Sequence, residues 1–457
     1  MTKLLHKVTK DKRIISLLLV WALIILGITL RSFKADVYPV DNNDDGLFYA
    51  WAGISFWENP LQPISHSIFE ADNPSLIWRS QFMDFIPVER FGMKIVRPWL
   101  DHPPLGAALI GLPAKLLGYQ GFEPIPQLIV RFPALVASIF TLWLTYVLGK
   151  NLFGEAVGRL SLLFLATVPY YVVAHRQSFL ENFLTPLFLG SLILLRKNKI
   201  YWAAILAFFC GWIKIPGFAV PLMMAFWLWR RKQIKSALIM LTAGVVSILS
   251  YLGYGLLAGK EAFLFILTNQ GSRGAFVNSF FNTITNPRFY GEFHDGWYVL
   301  GFIFSLVMLT KFKKEKFKFY NWFLSLWLLV LFLTAGRFNN SPWYYYPLIP
   351  FGAMAIGYFA NQLLKKPSLF LILPFWLLGF TGFDLLKIEI NPTCLRLATI
   401  FFFIPFVLNW KKISFWLVRI FLIALVLLNI YVTLRYPTVH CLEERCLAPK
   451  KVILNYD

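Results

Sequence analysis

The sequence predicts an all-α membrane protein that crosses a lipid bilayer about thirteen times, with amphipathic helices in its first outer loop. Two observations lead to this prediction. Hydrophobic residues make up 58% of the chain and charged residues only 15%, which is more apolar surface than a water-soluble fold could bury. Apolar runs of about twenty residues, long enough to span a hydrocarbon core, also recur from end to end.

The first apolar run, residues 14–30, is too long for the apolar region of a signal peptide, and no small-residue cleavage site follows it. We therefore predict a retained first helix, followed by a long outer loop over residues 31–127. Further spans are predicted at 128–148, 160–173, 179–195, 201–213, 218–229, 237–257, 297–309, 322–335, 343–364, 369–386, 397–410 and 413–434. The apolar segment 103–117 is predicted to be a helix lying at the outer surface.

The distribution of charge predicts the orientation of these spans. The terminal and inter-span clusters that alternate along the chain contain 23 of the 44 Lys and Arg residues but only three of the 23 acidic residues. Cytoplasmic loops of membrane proteins carry such an excess, so the N-terminus is predicted inside and the C-terminus outside, in a plasma (inner) membrane. If segment 103–117 crossed the bilayer, the clusters would instead face outward. The same distribution argues against nucleic acid as a partner, although the net charge is +21.

We expect three regions. Residues 1–230, with the outer loop 31–127, form the catalytic half; residues 231–434, with an outer loop at 259–296, supply the remaining spans; residues 435–457 form a short outer tail. The chain has no Walker loop, no glycine-rich dinucleotide fingerprint and no cysteine spacing typical of zinc sites. A reaction would therefore need an energy-rich substrate that arrives from the membrane or from outside.

Carboxylates cluster where the first outer loop enters a helix, in the stretch that contains Asp44 and Asp45. One reading is an N-cap, in which a carboxylate accepts hydrogen bonds from free backbone N–H groups. A single Asp would suffice for that purpose. A cluster beside the membrane is also suited to a general base or to a divalent cation.

A second acidic motif is Asp101-His102-Pro103-Pro104. Two prolines after an acid are typical of a helix start. The alternative is a site in which the carboxylate of Asp101 and the imidazole of His102 hold a metal ion or a phosphate.

Three cations are predicted at the outer ends of different helices: Arg131, Arg176 and Lys214. Each could anchor a lipid headgroup, but charge at membrane level is usually paired or functional. Arg176 lies five residues before Glu181, so these two side chains could also pair. Several cations beside several carboxylates on one face fit a site that binds a lipid phosphate and deprotonates an alcohol.

The order of these motifs resembles the GT-C glycosyltransferases, and most closely the superfamily of protein O-mannosyltransferases and aminoarabinose–lipid A transferases. The resemblance rests on Asp-x-x-x-Tyr-Ala at 45–50, acid-x-Pro-Pro-Leu at 101–105, Arg-x-Pro at 131–133, Arg-x-x-x-x-acid at 176–181 and the turn containing Lys214. It covers about the first 230 residues; beyond them, mainly the topology and the stretch Trp343-Tyr344-Tyr345-Tyr346-Pro347 are similar.

The resemblance implies that a polyprenyl-phosphate sugar is the donor and that the anomeric centre inverts. It implies a base at Asp45 or Asp44, since Gly46 stands where the family usually has an acid. Arg131, Arg176 and Lys214 would bind the donor phosphate, together with His102, which stands where a Lys is common. Asp101 and Glu181, the latter in place of a usual Asp, would position the donor or a divalent metal ion, the one cofactor left open. The acceptor would be a hydroxyl on a protein, a lipid or a glycan.

Two other classes of function fit a polytopic chain. A secondary transporter or lipid flippase would also carry intramembrane charge, but transporters usually show repeated halves and broken helices near the midplane, and no repeat is visible. A non-catalytic assembly subunit would use the charged outer loops as interaction surfaces.

Overall fold

The structure, a computed structural model, describes residues 2–39, 45–67, 95–120, 125–272, 295–311, 314–334 and 342–440. Helices dominate this part of the chain. Those of the first half are α1 Thr2–Ser32, α2 Asp45–Glu58, α3 Pro104–Leu116, α4 Gln127–Phe153, α5 Glu155–Thr167, α6 Pro169–Ala174, α7 Leu180–Arg196, α8 Ile200–Ile213 and α9 Ala219–Arg230. Those of the second half are α10 Ile234–Gly271, α11 Gly296–Leu309, α12 Glu315–Thr334, α13 Ile349–Lys365, α14 Leu369–Gly379, α15 Thr381–Leu385, α16 Pro392–Val407 and α17 Lys411–His440.

Short elements join some of these helices. Two 3₁₀ turns, Ile215–Phe218 and Pro342–Leu348, precede α9 and α13. Ser65–His66 (β1) pairs antiparallel with Ile95–Val96 (β2), as the one sheet in the described ranges.

The predicted fold class, an all-α polytopic membrane protein, is confirmed. A helix lies at each of the thirteen predicted spans. Segments 14–32 of α1 and 411–437 of α17, together with α4, α10 and α12, are long and apolar enough to cross a membrane by themselves, and shorter apolar helices lie among them. Some spans are divided because proline begins a new helix, as Pro169 does after α5 ends at Thr167.

The basic turns between helices meet at one end of the bundle, here called the basic end and defined by the turns at 150–155, 196–200, 230–234 and 311–315. Ser16 donates to the Glu155 carboxylate over 2.9 Å, and Arg196 donates to the carbonyl of Asn151 over 3.2 Å. Arg231 pairs with Glu315. The opposite end, called the loop end, carries α2 and α3.

Helices α2 and α3 pack backbone to backbone. A Cβ atom on Gly53 would lie 2.0 Å from the Ala107 carbonyl oxygen, and one on Gly111 would lie 2.5 Å from the Ile54 nitrogen. No side chain fits such gaps, so glycine at these positions is what permits the contact. Because α2 begins at Asp45 and α3 follows Asp101, the contact fixes the spacing of the two acidic motifs.

The segment predicted to lie at the outer surface is indeed a helix, α3, and it is partly enclosed. Ala107, Ile110 and Ala114 are fully buried, whereas Leu116 and Leu117 at its end are exposed. The face opposite solvent packs on α2, α4 and α8. The apolar composition of the segment therefore serves packing onto the bundle.

Helix α10 continues beyond the predicted end of its span at residue 257, into the predicted loop 259–296. It bends at Gly259, where the backbone is extended, and runs on to Gly271. Phe263 and Ile266 in this extension are buried. The charges of Lys260 and Glu261 indicate the end of an apolar run, but they do not end the helix, whose next turns pack on the bundle.

We predict that Gly53→Val destabilises the protein, whereas Gly253→Val does not. Both glycines lie inside helices, so the difference in helix propensity between glycine and valine is the same for the two variants. A Cβ on Gly253 meets nothing within 4 Å, unlike one on Gly53. Overpacking costs about 1–3 kcal/mol where the neighbours can move, and a backbone collision should cost at least that. Thermal melting of the purified proteins in detergent measures the difference; equal melting temperatures would show that α2 and α3 can separate freely.

Candidate active site

Asp45, half-buried, is the first residue of α2. The chain that leads to it leaves α1 and runs through residues 33–39, and its backbone carbonyls accept hydrogen bonds from buried arginines. Asp44, the other predicted base, lies outside the described residues. The structure thus gives the position of one of the two candidate carboxylates.

Tyr49, one helical turn after Asp45, lies among the predicted acidic residues. Burial raises the pKa of its phenol well above the usual value, and the nearby charges of Asp45, Glu181 and Asp101, with the Tyr344 phenol, act in the same direction. The hydroxyl is therefore neutral and able to donate a hydrogen bond at physiological pH. These five side chains come from four separate segments of the chain, and the fold brings them together at the loop end.

Asp101 is buried, with 6% of its surface exposed. Ser67 donates to its carboxylate over 2.7 Å, and the Gln270 amide donates to its backbone carbonyl over 2.7 Å. The ring of His102 lies 5.7 Å from that of Tyr49 and 6.0 Å from that of Trp99. The end of α10 and the residue after β1 therefore hold the Asp101–His102 motif in place.

Lys214 and Glu181 form a buried ion pair, with side chains 4% and 2% exposed. The Lys214 ammonium also lies 4.2 Å from the centre of the Tyr344 ring, close enough for a cation–π interaction. The turn that carries Lys214 is tight, because a Cβ on Gly217 would lie 1.9 Å from the Cys210 carbonyl oxygen. Glu181 therefore pairs with Lys214 and not with Arg176, whose guanidinium donates to a backbone carbonyl.

Arg131 and Arg176 are fully buried and donate to backbone carbonyls. Arg131 donates to Ala35 over 2.7 Å and to Pro39 over 2.5 Å. Arg176 donates to Leu30 over 2.5 Å. These bonds anchor the chain between α1 and α2. Binding of a phosphate by either guanidinium stays a prediction.

Arg31 was not predicted from the sequence and belongs to the same set. It is completely buried and donates to the carbonyls of Gly27 over 3.0 Å and Leu165 over 2.8 Å. A lone Arg directly after an apolar run is ordinarily the interfacial end of a span. Nothing in the local pattern distinguishes it from such an end.

Tyr344 is the other residue of the site to which sequence analysis gave no role. Its 3₁₀ turn docks on the segment before α7: the Tyr346 hydroxyl donates to the Gln177 amide over 2.7 Å, and Trp343 stacks on Phe179 with ring centres 4.5 Å apart. The Tyr/Pro-rich stretch was a usable signal, since it resembles the start of a late helix in the family.

The residues do not form a metal centre within the part of the chain that the structure describes. No group of three His, Cys, Asp or Glu side chains there is arranged to hold an ion. Glu181 forms an ion pair with Lys214, and Asp101 accepts a hydrogen bond from Ser67.

Residues 101–253 match the family described as dolichyl-phosphate-mannose-protein mannosyltransferase. This match includes Asp101, His102, Arg131, Arg176, Glu181 and Lys214. A search of the curated proteins found no match.

Two solved structures of ArnT from Cupriavidus metallidurans are similar to this chain. The one bound to undecaprenyl phosphate has 12% sequence identity and a TM-score of 0.56, covering 95% of this chain and 79% of that one. The apo structure has 14% identity and a TM-score of 0.50, covering 93% and 77%. The predicted resemblance to the GT-C glycosyltransferases is thus confirmed, and the chain is a multi-pass membrane protein with their fold.

We predict that replacing Lys214 alone by Met destabilises the protein by about 3–5 kcal/mol, because the Glu181 carboxylate is left buried without its partner. Adding Glu181→Gln to Lys214→Met should restore most of the lost stability. Denaturation of the four proteins of this double-mutant cycle in detergent measures the coupling. If the two single losses simply add in the double variant, the pair does not stabilise the fold.

Proposed function

We propose that this chain is a membrane glycosyltransferase that moves a sugar from a polyprenyl-phosphate donor to a hydroxyl group of an acceptor, with inversion. The observation that carries the proposal is the cluster at the loop end, where Asp45, Tyr49, Asp101, Glu181 and Lys214 lie within electrostatic range of one another or of a shared partner. The GT-C fold and the mannosyltransferase family match support it. The lipid in the ArnT complex supports the class of donor.

Asp45 is proposed as the general base. Its carboxylate takes the proton of the acceptor hydroxyl while the acceptor oxygen forms a bond to the anomeric carbon. The bond from that carbon to the phosphate oxygen breaks on the opposite face, so the configuration inverts and polyprenyl phosphate leaves. A half-buried carboxylate at the start of a helix is accessible to a substrate, and the N-terminal end of a helix favours negative charge.

Lys214 is proposed to bind the phosphate of the donor and to stabilise the charge that develops as it leaves. Its pairing with Glu181 has a consequence for this role. A phosphate that enters the site shares the ammonium with Glu181, and the Tyr344 ring holds the ammonium in place during the exchange. Tyr49 can donate a hydrogen bond to a phosphate or sugar oxygen.

We propose the following roles for the remaining residues around Asp45 and Lys214. Asp101 and Glu181 position the donor, and His102 contributes positive charge when it is protonated. Arg131 and Arg176, the other predicted phosphate ligands, act at least through the chain segment that they anchor before Asp45. The acceptor is a hydroxyl of a protein, a lipid or a cell-envelope glycan that approaches from the loop end.

We also propose how the helix bundle is oriented in the membrane. The loop end, with the site, faces the outside of the plasma (inner) membrane, and the basic end faces the cytoplasm. Residues 1–230 form the catalytic half and residues 231–434 complete the bundle. Of the predicted outer tail, 435–457, residues 435–440 continue α17 and the rest lies outside the described residues. The halves cooperate, since Tyr344 and Gln270 of the second contact Lys214 and Asp101 of the first.

We predict that Asp45→Asn lowers kcat by about 10²–10⁴-fold, the usual contribution of a general base, and leaves the affinity for the donor nearly unchanged. Asp36→Asn is the matched control, because Asp36 lies in the same connection, is exposed and is assigned no role. Turnover of a polyprenyl-phosphate sugar by purified protein and binding of that lipid are the two measurements.

Three outcomes separate the alternatives. If Asp44→Asn abolishes turnover and Asp45→Asn is silent, the base is Asp44. If neither change affects transfer, the acid–base assignment fails. If the protein moves the donor across a vesicle membrane without transferring the sugar, it is a flippase.

We predict that residue 440 lies outside the cytoplasm, because the N-terminus is predicted inside and an odd number of spans places the two termini on opposite sides. Alkaline phosphatase fused after residue 440 should be active, and a fluorescent protein fused there should be dark. Alkaline phosphatase, which needs an oxidising compartment, and a cytoplasm-dependent fluorescent protein are suitable paired reporters. Activity of only the cytoplasmic reporter at this position would reverse the orientation.

A further inference from the structure

We propose that the basic end carries a binding site for an anionic phospholipid of the adjacent membrane leaflet, between α7, α9 and α12. Two adjoining cavities of about 350 Å³ and 530 Å³ lie there. They share the side chains of Trp227, Arg231 and Glu315. This site is at the opposite end of the bundle from the proposed active site and goes beyond the proposed function.

The ionisable side chains that line the two cavities are strongly unbalanced in charge. Four are cations, Arg196, Arg230, Arg231 and Lys318, and one is a carboxylate, Glu315. Glu315 pairs with Arg231, which leaves an excess of three positive charges around a recess large enough for a phosphodiester group. A recess of this composition attracts an anion.

Aromatic rings hold two of these cations at the rim. The guanidinium of Arg230 lies 5.1 Å from the centre of the Trp322 ring, and that of Arg231 lies 5.0 Å from the Trp227 ring. Stacking restricts a guanidinium while its N–H groups stay free to bond at the edge. The two arginines are therefore arranged to donate to phosphate oxygens with little loss of freedom on binding.

The larger cavity is amphipathic, which identifies the occupant as a lipid. It continues from the arginines along α12 to Ser325 and Leu326. Next to it lies an apolar strip, because the ring of Phe226 is 5.0 Å from that of Trp322. Exposed apolar side chains extend this strip along α9 and α12: Leu222, Phe226, Trp229 and Leu329. A soluble anion would use the charged recess alone, whereas a phospholipid would also cover the strip with its acyl chains.

The excess positive charge also selects among phospholipids. A zwitterionic headgroup would bring its own ammonium close to the cations of the recess, where like charges repel. A headgroup with a net negative charge, such as phosphatidylglycerol, has no such penalty. A basic residue that lies directly beside a bound anionic headgroup favours that lipid, by about fivefold in binding.

The test measures how much dioleoyl phosphatidylglycerol stays bound to the purified full-length protein in detergent, by native mass spectrometry, against dioleoyl phosphatidylcholine. We expect the triple variant Arg230→Gln, Arg231→Gln, Lys318→Gln to retain at least about tenfold less phosphatidylglycerol, since three such cations are lost. The matched control is Lys365→Gln, Lys366→Gln, Lys412→Gln, which removes the same charge from exposed positions outside the cavities. It should retain phosphatidylglycerol as the unaltered protein does.

A second variant has the opposite expected sign. Glu315→Gln frees Arg231 from its partner and should increase retention of phosphatidylglycerol by a few-fold, a gain that misfolding cannot imitate. The proposal is overturned if both triple variants lose lipid equally, if the cavity variant loses none, if Glu315→Gln lowers retention, or if millimolar glycerol 1-phosphate displaces the lipid, which would assign the recess to a soluble anion. Turnover at the loop end enters none of these measurements, so they test this site separately from the proposed function.

Discussion

A buried arginine in an apolar environment must find acceptors for its N–H groups, and in this chain backbone carbonyls supply them. Arg131 and Arg176 come from different parts of the chain, yet both donate to main-chain oxygens around the end of α1 and the connection to α2. Arg31, at the end of α1 itself, donates to the carbonyl of Leu165 in α5. A connection outside regular structure has carbonyls without partners. The guanidinium groups supply donors and the connection supplies acceptors, so residues 33–39 are held in place ahead of Asp45. These bonds act on the segment before Asp45, while the contact of α2 with α3 fixes its spacing from Asp101.

A second constraint is the burial of two opposite charges, those of Lys214 and Glu181, within the same site. Lys214 and Glu181 are both buried, and neither would be tolerated there alone. Such a pair is a poor source of net stability, because the desolvation of two ions offsets their attraction. The proposed binding of a phosphate gives the buried pair a role other than stability. Under the proposed function, the Lys214 ammonium is kept charged and in position for the donor phosphate, and Glu181 is its partner until the donor binds.

Sequence reasoning could predict the fold and several of the residues that lie together at the loop end, but not how their side chains pair. Apolar runs and alternating basic turns report span positions directly, because the bilayer imposes length and charge rules that act on local sequence. The close approach of Asp45, Asp101, Glu181 and Lys214 followed from the resemblance of their order to a known family. The partners of Arg131 and Arg176 did not, since a backbone carbonyl leaves no mark in the sequence. The continuation of α10 past Lys260 was likewise hidden, because packing of Phe263, and not local polarity, maintains the helix there.

The pairing of β1 with β2 gives the first outer loop a further property. Ser65 lies opposite Val96 and His66 opposite Ile95, so the two ends of the intervening segment meet as neighbours on adjacent strands, about 5 Å apart. Lengthening a loop whose ends are already held together costs little free energy. A change in the length of the sequence between the strands should therefore leave the spacing of Asp45 and Asp101 unchanged, provided that Ser67 stays in place.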